Sequence, residues 1–148
     1  MAIELSGNME ISVAPELCFA RTAEIENWPE WARDLETVAV LARDGHGRPS
    51  QAKLVAELFG KEFDATVGFD FDKAPGQFTF ALVEARKLAS LEGSFQFEPR
   101  SAGTVVNFRV FMTLVKPKAA RIERMVSRKV ETALSRDLRR HIERTARR

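Results

Sequence analysis

The chain has 148 residues, 45% of them hydrophobic and 30% charged, with a formal net charge of +2. This length and balance fit one globular domain with a sizeable core and exclude a disordered chain. No apolar run approaches the ~18 residues of a spanning helix, and the N-terminus MAIELSGNMEI lacks a basic region followed by an apolar stretch, so a cytoplasmic location is expected. The charge is unevenly placed: residues 116–148 hold 12 Lys and Arg against 4 Asp and Glu, whereas residues 1–115 hold 11 against 17. A basic terminal segment attracts phosphates or anionic lipid head groups, although a solvated helix face is the simpler reading, and a nucleic-acid partner is disfavoured.

Residues 2–13 place Ile3, Leu5, Met9, Ile11 and Val13 on one parity and Glu4, Asn8, Glu10 and Ser12 on the other, which predicts a half-buried strand. Ala14-Pro15-Glu16 then opens a short helix to about Glu24, with proline in the first turn, where its missing N–H costs nothing. Its Cys18 is the only cysteine, which forbids an intramolecular disulfide, and the LCFA setting reads as a buried small hydrophobe rather than a reactive thiol. Residues 27–35, NWPEWARDL, predict a second short helix with Asn27 and Glu30 at capping-box spacing. They also hold both tryptophans, Trp28 and Trp31, more apolar surface than so brief a surface helix buries by itself.

Beyond this segment the period becomes two. Leu35–Arg43 predicts a strand ending in the turn Asp44-Gly45-His46-Gly47-Arg48-Pro49, with His46 exposed between its glycines. Alternation then predicts strands through residues 51–58, 62–72, 78–82, 90–97 and 104–114, separated by Gly60-Lys61, Ala74-Pro75-Gly76, Glu84–Lys87 and Pro99–Gly103. Successive hairpins give an antiparallel meander with one wet face, on which Asp64, Asp70, Asp72, Ser90, Glu92 and Ser94 are expected. After Lys116-Pro117, Ile122, Val126, Val130, Leu134, Leu138 and Ile142 recur every four residues and predict a helix of about eight turns with one apolar stripe. His141, at the stripe's edge, has no second metal-ligating residue near it and reads as a packing or capping residue.

The predicted order is strand, two short helices, six strands, long helix: an α+β fold in which a seven-stranded antiparallel sheet must cover its apolar face with the only long amphipathic helix. A strongly bent sheet, with Gly68 and Gly93 permitting curvature, leaves room for an internal pocket. This order, together with the Ala14-Pro15-Glu16 start, the Asn27–Trp31 segment, the Arg43–Arg48 turn and the Glu98–Thr104 turn, resembles the polyketide cyclase/dehydrase group of the START-like superfamily, also called SRPBCC or Bet v 1-like. Coenzyme Q-binding proteins and ribosome-associated toxin-like proteins are relatives in that superfamily. The resemblance implies a helix-grip fold, the sheet wrapped around the C-terminal helix, with a cavity for an apolar small molecule.

Inward parity selects Phe63, Val67, Phe69, Phe78, Phe80, Phe95, Phe108, Val110 and Met112 from the sheet and Met125, Val126 and Val130 from the helix as cavity lining, and the helix grip that the resemblance implies sets the two short helices at the cavity's wall or mouth, with Trp31 expected to point inward and Trp28 to cover the rim. Ordinary core packing competes at each position. Eleven phenylalanines and no tyrosine suit a lipid, polyketide, isoprenoid or fatty-acid-like ligand. No nucleophile–His–acid order, metal-ligand pair or dinucleotide fingerprint occurs, so no catalytic residue, metal or cofactor is assigned. The leading expectation is binding or transport of that ligand by a monomer or weak homodimer. A cyclase or dehydratase that acts by shaping its substrate, and docking of the basic helix on an anionic membrane or a ribosome, are the alternatives.

Overall fold

The computed structural model describes residues 2–58, 60–116 and 119–146. Seven strands, β1 (Ala2–Ile11), β2 (Leu35–Arg43), β3 (Pro49–Leu58), β4 (Lys61–Asp70), β5 (Gln77–Ala85), β6 (Leu88–Arg100) and β7 (Gly103–Leu114), form one antiparallel sheet in the order β1-β7-β6-β5-β4-β3-β2. Two short helices, α1 (Pro15–Thr22) and a 3-10 helix (Ile25–Glu30), join β1 to β2, and a long C-terminal helix follows β7. The α+β element order is the one that the period changes and turn residues predict, and the arrangement is the helix grip that the resemblance implies. The break expected at Lys116-Pro117 lies partly outside the described residues.

Strand order explains the position of the tryptophan segment. β1 and β2 are consecutive along the chain yet occupy opposite edges of the sheet. Six inter-strand spacings of about 4.8 Å separate such edges by about 29 Å along the sheet. The segment joining them therefore has to cross the concave side, which puts Trp28 and Trp31 against the apolar face. The expected Asn27–Glu30 capping box does not form: the 3-10 helix starts at Ile25, Glu24 is its N-cap without a side-chain bond, and Asn27 Nδ2 instead reaches Glu24 Oε2 at 3.5 Å. Trp31 is the C-cap, its N–H bonded to the Trp28 carbonyl at 3.1 Å.

The C-terminal helix has three parts, α2 (Ala120–Thr132), a π segment (Ala133–Asp137) and α3 (Leu138–Thr145). A four-residue repeat exceeds the 3.6 residues of an α turn, so its stripe drifts by about 40° at each repeat. The π segment takes up extra residues and returns the stripe toward the sheet. Leu134, Leu138 and Ile142 are all buried in consequence. α3 packs on α1, with His141 2% exposed and its Nδ1 3.3 Å from Arg144 Nη2.

Aromatic rings fill the α1 end of the sheet. Phe19 meets Phe71, Phe78 and Phe97 edge-on at 6.3, 6.0 and 5.7 Å, and the Arg48 guanidinium caps Phe19 at 5.3 Å. Cys18 is fully buried; burial raises its thiol pKa, partly offset by the Thr104 hydroxyl, and the expectation of an inert packing residue stands. The turn after β2 is held by Asp44, whose carboxylate accepts the N–H groups of His46 and Arg48 at 2.8 and 3.0 Å. Desolvation works against ionisation there, but these two N–H groups and the nearby Arg48 and His46 charges outweigh it, and the Asp44 pKa is lowered.

The two glycines expected to permit curvature differ. A Cβ on Gly93 would meet the Phe80 ring and, at 2.6 Å, the Arg109 carbonyl, whereas one on Gly68 meets nothing closer than 3.5 Å. Gly93→Ala should therefore lower unfolding free energy in urea by about 1–3 kcal/mol, since backbone cannot retreat as a side chain can, and Gly68→Ala should leave it within about 1 kcal/mol of the parent. On the wet face, the Glu36 carboxyl pKa is raised, first by its hydrogen bond with Glu57, then by desolvation and by the Glu57 and Glu62 charges. A raised folded-state pKa gives stability that is present in acid and lost as pH rises through it. Glu36→Gln should accordingly raise Tm at neutral pH, and the gain should vanish below the ordinary carboxylate range when melting is followed against pH.

Candidate functional site

Between the sheet and α2 lies a cavity of about 410 Å³, within the size range of small-molecule sites. It exists because one helix is narrower than a seven-stranded sheet. α3 reaches the solid aromatic end, while α2 stands over a stretch of β3 and β4 whose inward residues are mostly small or aliphatic, Leu54, Ala56, Leu58, Ala65 and Val67, with Phe63 beside them. Alternation places these side chains on the concave face, and no facing element fills the space above them.

The inner wall is aromatic. Trp31 (4% exposed) and Trp28 (8%) line it together with Phe80 and Phe95, and Phe63 lines it beside Lys61. Trp28 is not at the rim as expected. Its ring packs against Trp31 at 5.7 Å, Phe69 at 5.6 Å, Phe80 at 6.3 Å and Phe95 at 6.3 Å, and its indole N–H donates to the Thr22 carbonyl at 2.9 Å. The crossing of the sheet described above draws this residue inward. Trp31 Nε1, by contrast, is buried with no hydrogen-bond partner among the described residues.

Of the other residues selected by parity, Val67, Val110, Met112, Val126 and Val130 line the cavity as well. Four do not. Phe78 belongs to the solid cluster, tilted between the rings of Phe71 at 5.1 Å and Phe95 at 5.2 Å. Phe69 is buried beneath Trp28 and Phe80. Phe108 covers its cross-strand partner Gly7, where an added Cβ would lie 2.7 Å from the ring. Met125 is 39% exposed, because one residue along a helix turns it about 100° away from Val126.

The wall also contains β3 residues that the sequence-based selection left out. Leu54, Ala56 and Leu58 alternate with Lys53, Val55 and Glu57, a signal that could have found them; a search for bulky aromatics ignores them, although small residues are what leave a cavity open. Five charged residues complete the lining: Arg33, Asp34, Lys61, Asp64 and Lys129. Asp64 was expected on the wet face, but it lies near the start of β4 and is half-buried at the cavity. Asp34 pairs with Lys129 of α2 at 3.6 Å, and Asp64 with Lys53 at 3.7 Å. Among the described residues, no group of three or more His, Cys, Asp and Glu could hold a metal ion, and no helix is long and apolar enough to cross a membrane.

The structure is similar to a START superfamily protein from Mycobacterium smegmatis, with a TM-score of 0.78 and 21% identity over 97% of each chain. It is also similar to the Zhui aromatase/cyclase from Streptomyces sp. R1128, with a TM-score of 0.79 and 14% identity over 100% of this chain and 95% of that one. A protein from Thermus thermophilus gives a TM-score of 0.80 at 20% identity, over 97% and 96% of the two chains. Identities this low speak for the fold alone. No curated protein matches the chain in sequence. The family profile described as "Polyketide cyclase / dehydrase and lipid transport" matches residues 2–148, in accord with the helix-grip architecture and its cavity, and the chain belongs to that family.

Proposed function

We propose that the protein binds and carries a hydrophobic small molecule, a lipid, polyketide, isoprenoid or fatty-acid-like compound, in the cavity between the sheet and α2. The observation that carries this reading is the composition of the wall: aromatic and aliphatic residues, with charge confined to Arg33, Asp34, Lys61, Asp64 and Lys129. An apolar ligand placed there replaces empty space with contacts, each ångström squared of apolar surface removed from water contributing about 25 cal/mol. A polar ligand would lose its hydration without finding partners.

A second reading, catalysis of ring closure by holding a reactive chain in a folded shape, is favoured by the likeness to an aromatase/cyclase over the whole chain. Such catalysis needs proximity more than acid–base groups. A change in the ratio of cyclised products from a linear polyketide on adding the protein supports it, and an unchanged ratio removes it.

Binding is tested directly. Native mass spectrometry of freshly purified protein should show an added small-molecule mass. Because Trp28 and Trp31 both line the cavity, titration with a fluorescent fatty acid should quench or shift tryptophan emission. Ala56→Phe, which places a ring in the cavity from β3, should weaken that binding at least about tenfold with Tm held or raised. Equal binding by Ala56→Phe and the parent, with no ligand mass in the spectrum, would remove the cavity as the site.

A further inference from the structure

Resting on the reading that the cavity is a ligand site, the charges in its wall narrow the ligand's chemistry. Both lining carboxylates are neutralised within the protein, Asp34 by Lys129 and Asp64 by Lys53. Arg33 and Lys61 also line the cavity and are exposed, and neither makes an ion pair with any described residue. They reach it from different elements. Arg33 lies in the turn between the 3-10 helix and β2. Lys61 is the first residue of β4, on the inward parity of Phe63, Ala65 and Val67, after Gly60 has turned the chain with a φ of 76°. A third cation, Lys87, lies 4.9 Å from the centroid of the cavity-wall ring of Phe63.

We infer that the ligand is an anionic amphiphile, its apolar body in the aromatic part of the cavity and one acidic head group held by Arg33 and Lys61. An ionised head cannot be drawn in among Trp28, Phe80 and Phe95 without losing its hydration. It stays instead where solvent reaches it and two uncompensated cations are waiting. Arg33 offers a planar fork suited to a carboxylate or phosphate, and Lys61 a movable point charge. The carboxylates Glu57 and Glu62, cross-strand partners near Lys61, alternate to the wet face and leave the inward side cationic.

The test uses amphiphiles that share one tail: dodecanoate, dodecyl phosphate, dodecanol and dodecyltrimethylammonium, each displacing the same fluorescent probe from the full-length protein at low salt. Both anions should bind about three- to tenfold tighter than dodecanol and the cation more weakly, with the anion preference shrinking in high salt. The double variant Arg33→Gln/Lys61→Gln should remove the preference, bringing the anions to the level that dodecanol shows with the same variant. A preference for one anion over the other identifies the head group as carboxylate or phosphate. Equal affinity for anion and alcohol, or an anion preference that survives the double variant, overturns this inference and leaves the apolar cavity reading standing. Failure of all four to bind overturns both.

Discussion

The hydrogen bond from the Trp28 indole N–H to the Thr22 carbonyl, 2.9 Å long and buried, is the joint on which the site depends. It fixes one of the two largest side chains of the β1–β2 connection to the last residue of α1, and so fixes how that connection crosses the concave face. With the ring held, Phe69, Phe80 and Phe95 of β4, β5 and β6 pack around it at 5.6–6.3 Å. Trp28 thereby stands at the boundary between two interiors. On one side Phe19, Phe71, Phe78 and Phe97 form a solid aromatic block; on the other, aliphatic and small residues leave about 410 Å³ unfilled.

The C-terminal helix is divided in the same way. Ile122, Val126 and Val130 of α2 line the cavity, whereas no residue of α3 does, and α3 instead packs against α1. The π segment lies between the two halves, and its Ala133 and Leu134 are the last cavity-lining residues of the helix. A four-residue repeat run as a plain α-helix drifts by about 200° over five steps, which would turn Ile142 away from the face that Ile122 addresses. Re-phasing at the π segment lets one continuous helix close a cavity with its first half and seal a core with its second. The helix is anchored at its end and spans open space over its first half, where Lys129, in the last turn of α2, pairs with Asp34 of the opposite wall.

Legibility from sequence follows from these local causes. The strands and the amphipathic helix were legible because alternation and stripe are backbone periodicities, and the hairpins because Gly60, Pro75 and Gly103 punctuate them. Burial was legible too, since every aromatic assigned inward on β4, β5, β6 and β7 is at least half-buried. What parity does not encode is whether an inward residue meets another ring or meets space. Phe78 and Phe80 share a face of one strand two residues apart, yet Phe78 is packed into the α1 block and Phe80 lines the cavity. That difference is set by Phe19 and Trp28, which arrive from a distant segment. Trp28 was misplaced for the related reason that only the strand order, with β1 and β2 at opposite edges, says where the intervening helices must pass.

The same physics bears on the charged residues, which sequence inspection passed over. Lys61 looks like half of a hairpin turn, and Arg33 like part of a solvated helix. Each is ordinary in its local setting. They become unusual only through their neighbours: the carboxylates that could neutralise them are already engaged by Lys129 and Lys53, and the surface they border is apolar. A cation beside water and far from low-dielectric walls is screened within about 10 Å at 0.1 M salt. Beside an apolar cavity it acts through a medium that screens it less. Selectivity in such a site is divided: the apolar wall grades ligands by size and shape, and the charged residues in it grade them by charge. Neither is a property of a motif, because each is produced by elements brought together from remote parts of the chain.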